Sequence, residues 1–133
     1  MNHTQTVNEL VPGTVVRVSH GPYDHVGLVS DTYINGERAV ISLSAVYGGF
    51  TEEPFSAFAH DRVVYNDGYP GTLAPYWVIA RARAAGSRRY SWTMFNCEHF
   101  VRHAHGLKVE SPQLQSWVAA SCAVCFVLAN LAR

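Results

Sequence analysis

A thiol at the start of a short helix is the strongest chemical signal in this chain. Residues 95 to 106 read FNCEHFVRHAHG. Asn96 suits an N-cap, because its side-chain oxygen can accept from the free amides of a first turn. Gly106 stands where a left-handed residue closes a helix. Between them Cys97, Phe100, Val101 and Ala104 follow the i, i+3, i+4, i+7 spacing of one buried stripe. Glu98 and Arg102 are spaced as a favourable i, i+4 pair on another face. The thiol therefore points inward at the positive end of the helix dipole, a setting that can activate a nucleophile. The plain alternative is a buried structural cysteine.

The same stretch invites a metal reading. His99 and His103 are spaced i, i+4, as on metal-binding helices, with Cys97 and His105 close by. The thiol, however, falls on a different face from that pair, and no second ligand cluster follows. The histidines read as a polar helix flank, and no metal is expected.

A thiol nucleophile needs a base, and a strand supplies one. Asp24-His25-Val26-Gly27 opens a β-branched run, and a helix start facing a strand-borne histidine is how cysteine hydrolases align thiol and imidazole. An exposed histidine at a loop end is the plainer reading. Asn35-Gly36 between two such runs predicts a two-residue hairpin turn with positive φ at both positions. With that turn, Ile34 faces Glu37. An unbroken ladder then sets Val29 opposite Ser42, Gly27 opposite Ser44 and His25 opposite Val46. Side chains alternate along a strand, so Ser42 shares the face of His25.

The remaining elements must hold these residues. The spacing predicts a strand over 14–19, the hairpin strands over about 23–34 and 37–46, and a turn-rich connection over 47–54. A further strand is expected over 62–65, a loop over 66–72, and a helix from Pro75 to about Ala85 ending at Gly86. Trp117 to Ala132 is a run of sixteen residues without a charge. A membrane span needs about 20 apolar residues, so this run reads as a helix packed on the domain, with a short membrane anchor as the alternative.

Composition bounds the rest. The chain has 133 residues, 48% hydrophobic and 15% charged, with a formal net charge of zero. That is enough for one globular core, and it offers no charge imbalance toward nucleic acid. Arg81, Arg83, Arg88 and Arg89 form a basic cluster, read as a solvated helix face or, alternatively, as a surface for lipid headgroups. The three cysteines, Cys97, Cys122 and Cys125, show no disulfide framework, and Met1 to Pro12 lack the character of a signal peptide. A reducing, cytoplasmic setting is expected, with membrane association through the C-terminal segment as an alternative.

Asn96-Cys97-Glu98-His99-Phe100-Val101 resembles the NCEHFV signature of lecithin:retinol acyltransferase-like proteins. Tyr23-Asp24-His25-Val26-Gly27-Leu28-Val29 is similar to the strand that carries that family's first catalytic histidine. The order, histidine before cysteine, is the permutation that separates the family from NlpC-type papain-like peptidases. The resemblance covers about Pro12 to Gly106. It implies an α+β, circularly permuted papain-like fold with a small antiparallel sheet packed on helices. It divides the chain into a catalytic domain, 1–110, and an apolar C-terminal segment, 111–133.

The resemblance also implies Cys97 as nucleophile, His25 as general base, and an acyl-thioester passed to an amine, alcohol or water. Tyr23 matches a tyrosine that lines the family's site, and the amides at the helix start, around Asn96 and Cys97, would stabilise an oxyanion. The family usually carries a second histidine in a segment reading Val-Ile-His-Leu. This chain has Val40-Ile41-Ser42-Leu43, so a serine takes that place. The expected function is a thiol-dependent acyltransferase or hydrolase acting on an acyl ester or amide, with lipid favoured. No cofactor is expected, and the C-terminal segment would make any peripheral membrane contact. A catalytically degenerate binding module and a peptide or peptidoglycan amidase are the alternatives.

Overall fold

The computed structural model describes residues 7–22, 24–44, 49–87 and 97–108. Their elements, in chain order, are β1 (Val15–Ser19), β2 (Asp24–Ile34), β3 (Glu37–Ser44), β4 (Gly49–Pro54), α1 (Phe55–Ala59), β5 (Val64–Gly68), α2 (Pro75–Ser87) and α3 (Cys97–Ala104). The five strands form one antiparallel sheet in the order β4-β3-β2-β1-β5. The class is α+β with a small antiparallel sheet, the coarse class that the resemblance implies. The C-terminal segment 111–133, with Cys122 and Cys125, and the Arg88-Arg89 pair lie outside the described residues.

Strand alternation divides the core in two. Val15, Val26, Leu28, Ile41 and Leu43 face α2 and α3, where Val78, Ile79, Phe100 and Val101 complete a buried cluster. Val16, Val18, Val29 and Val40 point the other way, against Phe55 and Phe58 of α1. Val18, Leu28, Val29, Val40, Ile41, Phe58 and Phe100 have no exposed surface. Burying each such side chain contributes on the order of 2 kcal/mol, so the sheet is clamped from both sides.

The hairpin turn forms as its sequence predicts, with Asn35 at φ 54° and Gly36 at φ 79°. The register does not run unbroken. Tyr33↔Arg38 and Ile34↔Glu37 keep the expected pairing, but the next pairs are Val29↔Val40, Leu28↔Ile41 and Gly27↔Ser42. Between them β2 advances four residues while β3 advances two. Two extra residues therefore bulge out at Ser30, Asp31 and Thr32. A shift of two keeps every side chain on its expected face, so only the partners change.

The bulge is held by polar side chains. Glu52 accepts from Ser30 Oγ at 2.6 Å and Thr32 Oγ1 at 2.8 Å, and Arg83 reaches both Glu52 and Asp31. Burial works against the charge on Glu52, but hydrogen bonds from Arg83, Ser30 and Thr32 hold its carboxyl below the ordinary value. On the opposite side the buried Arg38 donates to the carbonyls of Ser30, Asn8 and Leu10. Arg83, part-exposed, thus braces the bulge, and the exposed Arg81 donates to the His103 carbonyl.

Two further expectations are corrected. Residues 49–54 are a strand, β4, despite their Gly and Pro content, because pairing along β3 satisfies their backbone from Ala39↔Pro54 to Ser44↔Gly49. The strand near 62–65 begins at Val64 and runs on to Gly68, pairing with β1 across a register shift. Its edge position admits Asn66 and Asp67, the latter ion-paired to Arg17 at 3.0 Å.

Candidate active site

The helix that carries the thiol is closed by a Schellman arrangement. Leu107 N–H donates to Arg102 O at 2.9 Å and Gly106 N–H to His103 O at 3.0 Å, with Gly106 at φ 70°. This 6→1 and 5→2 pair is the signature of a left-handed glycine terminus. The stripe buries as its spacing predicts, with Phe100, Val101 and Ala104 at 0–3% exposure and Cys97 half-buried against the same cluster. Arg102 acts on Glu98 through its charge while its Nε donates to Lys108 O at 3.0 Å.

Two of the three histidines near the thiol are not a polar flank. His99 is buried, and His105 is 1% exposed. His105 turns inward because its Nε2 meets the Gly13 carbonyl at 2.7 Å and its ring stands edge-on to Tyr69, centroids 4.6 Å apart. That contact pins the end of α3 to the start of β1. Among the described residues no group of three or more His, Cys, Asp or Glu side chains is gathered as a metal site.

Cys97 meets the sheet at the point where β3 leaves β2. Among the described residues, pairing between β2 and β3 begins at Gly27↔Ser42. Beyond it the Val26 N–H points at Cys97 Sγ, 3.3 Å away, and the thiol lies 3.6 Å from the Asp24 carbonyl it can donate to. Both contacts are to main chain flanking His25. Residues 24 and 26 present their backbone groups to the same side, so the sulfur occupies the ladder position that a continuing β3 would fill.

From that point the His25 side chain projects to the α1 face. Its ring lies 5.1 Å from the Phe58 ring, tilted by 36°, and its Nε2 is 3.2 Å from Ser42 Oγ. The bulge makes this last contact possible. In an unbroken ladder Ser42 would sit opposite Val29, four residues from His25, or roughly 13 Å at strand rise. Slid by two, it faces Gly27 and becomes a diagonal neighbour of His25, within reach of a long side chain. Gly27 is required as well. A Cβ there would stand 2.7 Å from Val40 Cγ1 and 3.1 Å from Phe58 Cε2.

Ser42 is fully buried and bonds onward. Its cross-strand partner on β4 is Thr51, and the two hydroxyls are 3.0 Å apart, with Thr51 Oγ1 also 3.4 Å from the Ser42 carbonyl. Thr51 is the site residue that sequence reasoning misses, since finding it requires knowing that 49–54 is a strand and in what register. Burial pushes the His25 imidazole down to about 4, with the nearby His20 and His60 adding to the effect. The ring is therefore neutral at neutral pH.

Cys97, His25 and Ser42 are brought together from α3, β2 and β3. Tyr23 and Asn96, the other expected site residues, lie outside the described residues. Comparison with protein-family models, with curated proteins and with solved structures finds no match for this chain. Among the described residues no helix is long and apolar enough to cross a membrane.

Proposed function

We propose that this protein is a thiol-dependent acyltransferase or hydrolase of the lecithin:retinol acyltransferase-like, permuted papain-like kind, with Cys97 as nucleophile and His25 as general base. The observation that carries the reading is the seat of Cys97 Sγ on the main chain to either side of a half-buried histidine whose Nε2 is already engaged by Ser42. Because the imidazole is neutral, it is free to accept a proton. The ring takes the thiol proton as sulfur bonds to the carbonyl carbon of an acyl ester or amide. As the tetrahedral adduct collapses, the bond to the alcohol or amine breaks, and His25 returns the proton to that leaving group. Water, an alcohol or an amine then attacks the thioester with the same base, and the thiol is regenerated. The Val26 N–H gives the sulfur a donor when it carries charge, and the amides at the start of α3 suit an oxyanion. An apolar acyl donor, a lipid before a peptide, fits the expectation drawn from the motif.

Iodoacetamide labelling tests this. Cys97 should react faster than a free cysteine at the same pH, and His25→Ala should slow it by about 10²-fold, the lower range for a lost general base. A rate equal to a free thiol and indifferent to His25→Ala would defeat the proposal. One observation favours a second reading, a binding module that keeps the fold. The His25 ring is packed on Phe58, with centroids 5.1 Å apart. That reading predicts the indifferent outcome.

A further inference from the structure

We infer that Thr51 is a positioning residue that fixes the tautomer of His25 through Ser42. The inference rests on His25 being the base at this site. Three contacts stand in line: His25 Nε2 to Ser42 Oγ at 3.2 Å, Ser42 Oγ to Thr51 Oγ1 at 3.0 Å, and Thr51 Oγ1 to Ser42 O at 3.4 Å. The last member is a carbonyl, which only accepts. If each hydroxyl donates toward it, Thr51 gives its proton to the carbonyl and accepts from Ser42. Ser42 then accepts from the ring, so the ring proton sits on Nε2 and Nδ1 is the one basic nitrogen. In the reverse order Thr51 donates to Ser42, Ser42 donates to Nε2, and the ring proton moves to Nδ1. The reverse order wastes the carbonyl and removes the base.

Ser42 alone cannot make this choice. A lone hydroxyl serves Nε2 equally well as donor or acceptor. The second hydroxyl, paired across from it on β4, gives the chain its direction. Ser42 has no exposed surface, so bulk water does not compete for its proton.

The test is histidine ring NMR on the full chain labelled with 15N-histidine, with the His25 signals assigned by their loss in His25→Gln. The wild type should show the Nε2–H tautomer at pH 7. Thr51→Val, which keeps shape and removes the hydroxyl, should move the ring toward Nδ1–H and slow Cys97 alkylation by about fivefold, as for one lost hydrogen bond. Thr51→Ser should restore both, which a purely steric role for Thr51 would not predict. A wild-type ring in the Nδ1–H form overturns the inference, and this readout does not depend on how well any variant folds. So does a Thr51→Val protein with unchanged tautomer and unchanged alkylation. If the tautomer follows Thr51 but Cys97 reactivity ignores His25→Ala, the relay stands and the catalytic reading falls.

Discussion

Under the proposed chemistry His25 sets the pH behaviour of the site. A general base is competent only when unprotonated, and burial holds this imidazole to about 4, against an ordinary value of 6.5. Cys97 alkylation should therefore keep its His25 dependence well into the acid range. The limb that reports the base should lie near pH 4 rather than between 6 and 7. A rate–pH profile of wild type against His25→Ala checks this. A weakly basic ring also draws the thiol proton less strongly, so orientation matters more. Ser42→Ala removes the hydroxyl that engages Nε2, and should lower Cys97 reactivity at least as far as Thr51→Val does. Full loss of tautomer control costs up to about 10⁴-fold in hydrolases whose triads orient the ring through a carboxylate, and a hydroxyl supplies less than that.

Gly27 and the β2 bulge belong to the scale of elements. Gly27→Ala would drive a methyl against Val40, the Ile41 carbonyl and Phe58, all within 3.1 Å of the new atom. Overpacking of this kind costs about 1–3 kcal/mol, and a urea titration should show a lower midpoint with an unchanged slope. Gly106→Ala should also destabilise the protein, by about 1 kcal/mol, because φ is 70° and Leu73 Cδ1 lies 3.0 Å from the new atom. These two glycines also show how much the sequence reveals. Gly106 and the capped stripe from Cys97 to Ala104 are legible because helix termini and periodicity are local signals. The Asn35-Gly36 turn is legible for the same reason. The face of Ser42 is legible too, since parity survives a shift of two. Its partner is not, because the bulge depends on Glu52, Arg83 and Arg38, which come from distant parts of the chain. The strand at 49–54 is hidden likewise, its pairing to β3 overriding weak strand propensity. His105 reads as polar by type and is buried by a contact 92 residues away in sequence.

At the scale of the whole molecule, several buried histidines make stability depend on pH. Burial lowers the imidazoles of His25, His99 and His105 below 6.5. Between that value and the folded one, the unfolded chain binds protons that the folded chain refuses. Stability therefore falls as pH drops through this window, by about 1.4 kcal/mol for each unit by which a group is shifted. For His25 the window runs from about 6.5 down to about 4. Urea midpoints measured at pH 7.5 and pH 5 should differ accordingly, with His25→Gln flattening the slope and a stable, pH-independent midpoint contradicting it.

The seat of Cys97 has one more consequence. The sulfur covers a main-chain donor and acceptor at Val26 and Asp24 that would otherwise form a short stretch of bare sheet edge, the kind of edge that recruits foreign strands. Once sulfur carries an acyl or carbamidomethyl group it has no hydrogen to give the Asp24 carbonyl, and the edge is partly reopened. Under the proposed chemistry each covalent intermediate would carry its own small stability penalty, and the thermal melt would become a clock for turnover. Protein held as the thioester should melt below the free thiol form, returning to the original temperature as the acyl group leaves.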